Sequence, residues 1–183
     1  MKDEFFKTSF DFEFEPKVSD LKNDKGGLTN DGITYDFFKL YCKKTLGVEP
    51  TVEKFDVLTR DEIRQFYSVI WDRLNCDDIS NSVVSYMVFD FALNSEKAVR
   101  QIQRLLKLYD YNLKDDNVFG PVSRGFLNAA ITIKTAKKVA TDILNTREDY
   151  VRSLVQRDAT QAQFLPGWLN RINTLRRMVE RNL

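Results

Sequence analysis

Between Glu15 and Thr34 the chain crowds chemistry-bearing residues into one short segment. Glu15, Asp20, Asp24 and Asp31 supply carboxylates, and Ser19, Thr29 and Thr34 supply hydroxyls. Gly26, Gly27 and Gly32 supply the backbone freedom of tight turns. The sequence contains no histidine, which removes Ser–His and Cys–His nucleophilic pairs and the common histidine-containing zinc sites. Catalysis would therefore run on Asp, Glu, Lys, Tyr or hydroxyls. Chemistry on carboxylates alone points first to glycosidic bonds, where one carboxyl protonates the leaving oxygen and a second group works on the other face of the sugar. The competing reading is a plain surface turn, because Asp, Asn and Gly are ordinary turn formers. Composition alone leaves both standing.

A polar loop of this kind needs a scaffold, and most of the chain after Thr34 reads as helix. Before the loop the pattern is divided: Phe5, Phe6 and Phe10 suit a helix, while Phe10, Phe12 and Phe14 alternate like a strand. Pro16 restricts Glu15 and ends a helix near Phe14 or Glu15. Gly26-Gly27 suits the turn of a short β-hairpin. Thr34 is an N-cap for a helix carrying Phe37, Phe38, Leu40 and Tyr41, closed by Gly47. Residues 48–58, with Pro50, read as a connector. Thr59-Arg60-Asp61-Glu62 is a capping box, followed by the buried side of a helix in Ile63, Phe66, Tyr67, Ile70, Trp71 and Leu74.

Beyond a turn at 75–78, Ile79, Val83, Met87, Val88 and Phe91 mark a central helix. Asn94-Ser95 breaks it and caps a helix with Ala98, Ile102, Leu105 and Leu106. Asp110–Asn117 opens like a calcium loop, but Lys114 takes a ligand position and Asp115 stands where glycine is needed, which excludes that site. Gly120-Pro121 starts a short helix through Ala130. A long helix with a solvated face runs from about Thr135 to Gln156. Pro166-Gly167 precedes a last helix with Trp168, Leu169, Ile172, Leu175 and Met178. The fold class read here is all-α, with one irregular or β-hairpin insertion near the N-terminus.

The 183 residues suffice for one domain, or one with a small appended part, and for a proper core. With 43% apolar and 30% charged residues the chain is globular. A net charge of +1 gives no general pull toward nucleic acid or an anionic membrane. No apolar run is long enough to span a bilayer, and Met1-Lys2-Asp3-Glu4-Phe5-Phe6 does not open a secretory signal. Cys42 and Cys76 form no motif and read as reduced, semi-buried thiols, with a disulfide between them left open.

Taken together, these segments resemble glycoside hydrolase family 108, the phage-type N-acetylmuramidases also known as secretion activators, with their C-terminal peptidoglycan-binding region. Glu15 stands at the family's spacing from Asp24-Lys25-Gly26-Gly27-Leu28-Thr29-Asn30-Asp31-Gly32-Ile33-Thr34, which is similar to its D-P-G-G-x-T-x-x-G-I-T run. Tyr67, Trp71 and Cys76-Asp77 resemble its Y-x-x-x-Y-W and C-D segment, and Phe89–Asn94 its F-D-x-x-x-N helix. Val118-Phe119-Gly120-Pro121 is similar to its F-G-P turn, and Phe164–Arg171 to its F-x-x-G-W-x-N-R signature. The likeness departs at Pro16-Lys17, where the family has two glycines.

The resemblance implies a lysozyme-like fold that hydrolyses the β-1,4 bond between N-acetylmuramic acid and N-acetylglucosamine. Glu15, placed at a helix C-terminus whose dipole disfavours its ionised form, would be the general acid. Asp24 would orient or deprotonate the attacking water and Thr29 would hold it, although Asp24 also suits an Asx-turn and Thr34 could stand in for Thr29. Tyr67, Trp71, Asn94 and Trp168 would line the substrate cleft; the bland alternatives are core packing for the aromatics and a helix cap for Asn94. No cofactor or metal is implied. Residues 1–75 would form the catalytic part and 76–183 a helical peptidoglycan-binding part packed on it as one structural unit. The partner would be peptidoglycan glycan strands, with oligomeric state open. The protein would be made in the cytoplasm without a signal peptide and act on the cell wall or in the periplasm after release or non-classical export. The rival reading, favoured by Pro16-Lys17, is a catalytically silent module that binds wall glycan or a protein partner.

Overall fold

Helix ends fall where the sequence supplies caps. In the computed structural model, which describes residues 27–30 and 32–183 together with the backbone of Val18–Ser19, the Thr34 hydroxyl accepts from the amide of Phe37 at 3.2 Å. That cap opens α1 (Tyr35–Leu46), which Gly47 closes at φ +72°. The Thr59–Glu62 capping box is formed in both directions: the Thr59 amide donates to Glu62 Oε2 at 2.9 Å and the Glu62 amide to Thr59 Oγ1 at 3.3 Å. It opens α3 (Arg60–Arg73). Between them, residues read as a connector contain a one-turn helix, α2 (Val52–Asp56), capped by Thr51. Glu15, Asp24 and the helix or strand over residues 3–17 lie outside the described residues.

The chain divides into two compact units, Met1–Arg73 and Leu74–Leu183. In the first, β1 (Val18–Ser19), β2 (Thr29–Asn30) and β3 (Ile33–Thr34) form a small antiparallel sheet in sequence order. It is the irregular insertion expected from the glycines. Gly32, in the link between β2 and β3, holds φ +77°, a conformation few residues with a Cβ accept. Ile33, Phe38, Phe55, Ile63 and Phe66 are fully buried. Three aromatic rings interlock there: Phe38 lies 5.1 Å from Phe55 and 5.6 Å from Phe66 between ring centres.

In the second unit, α4 (Ser82–Leu93) is buried along nearly its whole length, from Val83 to Phe91. It packs on α7 (Ala136–Arg157) and α8 (Leu165–Asn182), while α5 (Ala98–Leu108) and α6 (Pro121–Lys134) also rest on α7. Short 3-10 turns, Cys76–Asp78 and Ala159–Phe164, lead into α4 and α8. The long helix α7 does present a solvated face. Its other face, Val139, Ala140, Ile143, Leu144, Arg147 and Val151, is the stripe on which the unit is built. Among the described residues both units are dominated by helix, and the fold class is all-α. Cys42 and Cys76 are free thiols, buried rather than semi-buried.

Candidate functional site

The register of the small sheet sorts its residues by face. Thr29 pairs with Thr34, and Asn30 with Ile33; paired residues share a face and neighbours along a strand point oppositely. Ile33 is fully buried and Asn30 is 2% exposed, so this row faces the core. Thr29 and Thr34, both half-buried, face the other way. The hydroxyl of Thr34 is committed to capping α1. Of the two threonines weighed from the sequence, Thr34 is therefore the one whose hydroxyl serves a helix cap. Ser19 stands opposite Thr29 across the β1–β2 pairing.

Asn30 was not singled out by sequence reasoning. Its side-chain Nδ2 donates to the carbonyl of Phe55 at 2.7 Å, tying the sheet to the end of α2. Among the described residues its buried Oδ1 has no hydrogen-bond partner. An acceptor stranded in that way costs about 1–3 kcal/mol. Nearby chemistry from cysteine is disfavoured: burial pushes the Cys42 thiol up, against the opposing pull of Lys54.

Tyr67 and Trp71 sit one turn apart on α3. Tyr67 is half-buried, whereas Trp71 is only 2% exposed. A ring so covered gives a sugar no face to stack on, and Trp71 here is a core residue. Asn94 ends α4, is exposed, and donates from Nδ2 to the Asp90 carbonyl at 3.0 Å, which is the cap alternative considered for it. Trp168, half-buried near the start of α8, leans on Phe164 with ring centres 5.9 Å apart. Thr29, Tyr67 and Trp71 thus belong to the first unit, and Asn94 and Trp168 to the second.

The second unit also holds a charge cluster that sequence reasoning passed over. Asp90 on α4 is fully buried. Its Oδ1 accepts from Arg147 Nη1 on α7 and from Arg171 Nε on α8 at 3.0 Å, and its Oδ2 from Arg171 Nη2 at 2.5 Å. Burial alone would raise this carboxyl, but Arg171 and Arg147 outweigh it and hold the group below the usual carboxylate range. Desolvating such charges costs several kcal/mol each and is offset only when every partner is in place. The signal was present: Asp90 and Arg171 belong to the F-D-x-x-x-N and F-x-x-G-W-x-N-R segments, and Arg147 interrupts an apolar stripe.

A second tether fixes the loop between α5 and α6. Buried Gln103 donates to Asp116 Oδ1 (2.9 Å), the Val118 carbonyl (3.0 Å) and Ser123 Oγ (3.1 Å), and accepts from the Asn117 amide (2.9 Å). Asn117, at φ +68°, bonds back to Arg100 and Glu96. Among the described residues no group of three or more His, Cys, Asp or Glu could hold a metal ion, and no helix is long and apolar enough to cross a membrane.

Comparison with known proteins divides the chain after α4, not at the boundary between the compact units. Residues 10–95 match the family Glycosyl hydrolase 108, and residues 97–173 match the Predicted Peptidoglycan domain. The two matches follow one another along the chain as the family resemblance read from the sequence implies, a glycosyl hydrolase 108 domain and then a predicted peptidoglycan domain. The structure of SagA from Brucella abortus is similar, with a TM-score of 0.73 at 21% identity, covering 98% of this chain and 94% of that one. At that identity the likeness speaks to the fold, which is all-α and lysozyme-like. No curated protein matches the chain.

Proposed function

We propose that the protein is a peptidoglycan N-acetylmuramidase cleaving the β-1,4 bond between N-acetylmuramic acid and N-acetylglucosamine. The observation that carries this reading is that the glycosyl hydrolase 108 match, residues 10–95, spans Glu15, Asp24 and Thr29 together. In this reading Glu15 protonates the glycosidic oxygen as the bond to the leaving sugar breaks. Asp24 orients or deprotonates the water that attacks the sugar, and Thr29, on the outward face of β2, holds that water. In the first unit Tyr67 contacts glycan and Trp71 supports α3 from the core; in the second Trp168 and Asn94 contact glycan, Asn94 beside its capping role. The following domain engages peptidoglycan strands, with the protein acting on the wall.

Glu15→Gln keeps the size of the side chain and cannot supply the proton. Loss of peptidoglycan by turbidity should slow at least ~100-fold, the lower end for general acid catalysis, with the circular dichroism spectrum unchanged. Equal rates for the two proteins would remove Glu15 from the mechanism. Pro16-Lys17, in place of two glycines, favours a second reading, a silent module that binds wall glycan. Wild type that pulls down with peptidoglycan but never clears it, even after both positions are changed to glycine, would establish that alternative.

A further inference from the structure

We propose that Asn30 is a positioning residue for this cleavage, the peg that sets the register of the hairpin carrying Thr29; the functional part of the inference rests on the muramidase reading. β2 and β3 are two residues each. A ladder so short specifies its own register weakly, and a slip of one residue would exchange the faces, turning Thr29 into the core and Asn30 out. The Gly32 turn and the buried Ile33 resist the slip from within the hairpin; a second hold comes from outside it. Asn30 supplies it through the 2.7 Å bond from its Nδ2 to the Phe55 carbonyl. That carbonyl is itself well fixed: the Phe55 ring is fully buried between Phe38, at 5.1 Å, and Tyr35, at 5.2 Å.

The choice of residue argues for position over stability. The neighbouring inward position is filled by Ile33; an apolar side chain at position 30 would remove the orphan oxygen but leave the Phe55 carbonyl without its 2.7 Å donor. The amide leaves its Oδ1 buried and unpartnered. A group that forfeits stability for one directed bond, next in sequence to the proposed water-holding hydroxyl, fits a residue retained for geometry.

The test is Asn30→Leu, similar in volume and without the orphan oxygen. Stability by urea unfolding should change little, the lost bond to the Phe55 carbonyl being offset by the apolar side chain and the removed orphan oxygen, whereas the cross-strand NOEs between Thr29 and Thr34 should weaken or multiply, and kcat on peptidoglycan should fall at least tenfold with KM unchanged. A purely structural residue would change rate only in step with stability. A variant that keeps the Thr29–Thr34 register overturns the proposal whatever its rate, as does one that loses register and cleaves normally. If wild type does not cleave, the muramidase reading fails by itself and the NOEs alone decide the peg. Should Asn30→Leu not fold, Asn30→Asp takes its place: a buried carboxyl can donate to Phe55 only when protonated. Its NOE pattern should be lost near neutral pH and return on acidification, and a pattern intact at neutral pH overturns the proposal.

Discussion

One buried polar side chain in each unit shows two opposite solutions. In the first, Asn30 makes one bond and strands its other end. In the second, both oxygens of Asp90 are met by guanidinium donors, which come from two different helices. A half-satisfied amide is tolerable because it is neutral and its cost small. A half-satisfied buried carboxylate would not be. The difference teaches where each unit can absorb change: the first beside its candidate residues, the second almost nowhere near its charge cluster.

The sharpest way to break the contrast is Asp90→Asn. It leaves two arginines, one of them only 4% exposed at its side chain, facing a neutral amide. Removing one member of a buried ion cluster typically costs ~3–5 kcal/mol, and urea unfolding of the full chain should show a loss of that order. Acidification probes the same group without mutation. Because the folded-state pKa of Asp90 is depressed, its contribution is fully present above the unfolded value near 4 and is lost as pH falls through the lower folded value. Stability should therefore decline on acidification below about pH 4, and the decline should be shallower in Asp90→Asn. Next in size is Gln103→Ala, which leaves the Asn117 amide without its acceptor. A cost of about 1–3 kcal/mol is expected, with faster amide exchange confined to residues 110–120. The smallest effect is a gain. Thr135, between α6 and α7, sits at φ +79° and ψ 148°, where a β-branched residue is strained. Thr135→Gly relieves that at the cost of a weak cap to Lys138, and thermal unfolding should show a net gain of up to about 1 kcal/mol.

What was legible in the sequence was local. Thr34, Gly47, Thr59 and Glu62 declare helix ends because their partners lie three or four residues away. The glycines at 27 and 32 declare turns because positive φ excludes most alternatives. The Val52–Asp56 helix was hidden by Pro50 and by its length of one turn, which propensity barely registers. Trp71 could be placed on the buried side of α3, but how completely it is covered depends on what packs against it. The partners of Asp90 were invisible for the same reason, being set by how distant helices meet. Thr29 could be separated from Thr34 only when the cap bond was seen.

The Asp90 cluster also bears on time. Its arginines stand 57 and 81 positions further along the chain. Loops of that length carry an entropic cost before any contact repays it, and the charges reward their burial only once the helices around them have docked. Such a contact belongs to the late side of the folding barrier. Its removal is then expected to quicken unfolding and leave the folding rate almost untouched. One carboxylate would govern how long the second unit lasts, far more than how fast it forms.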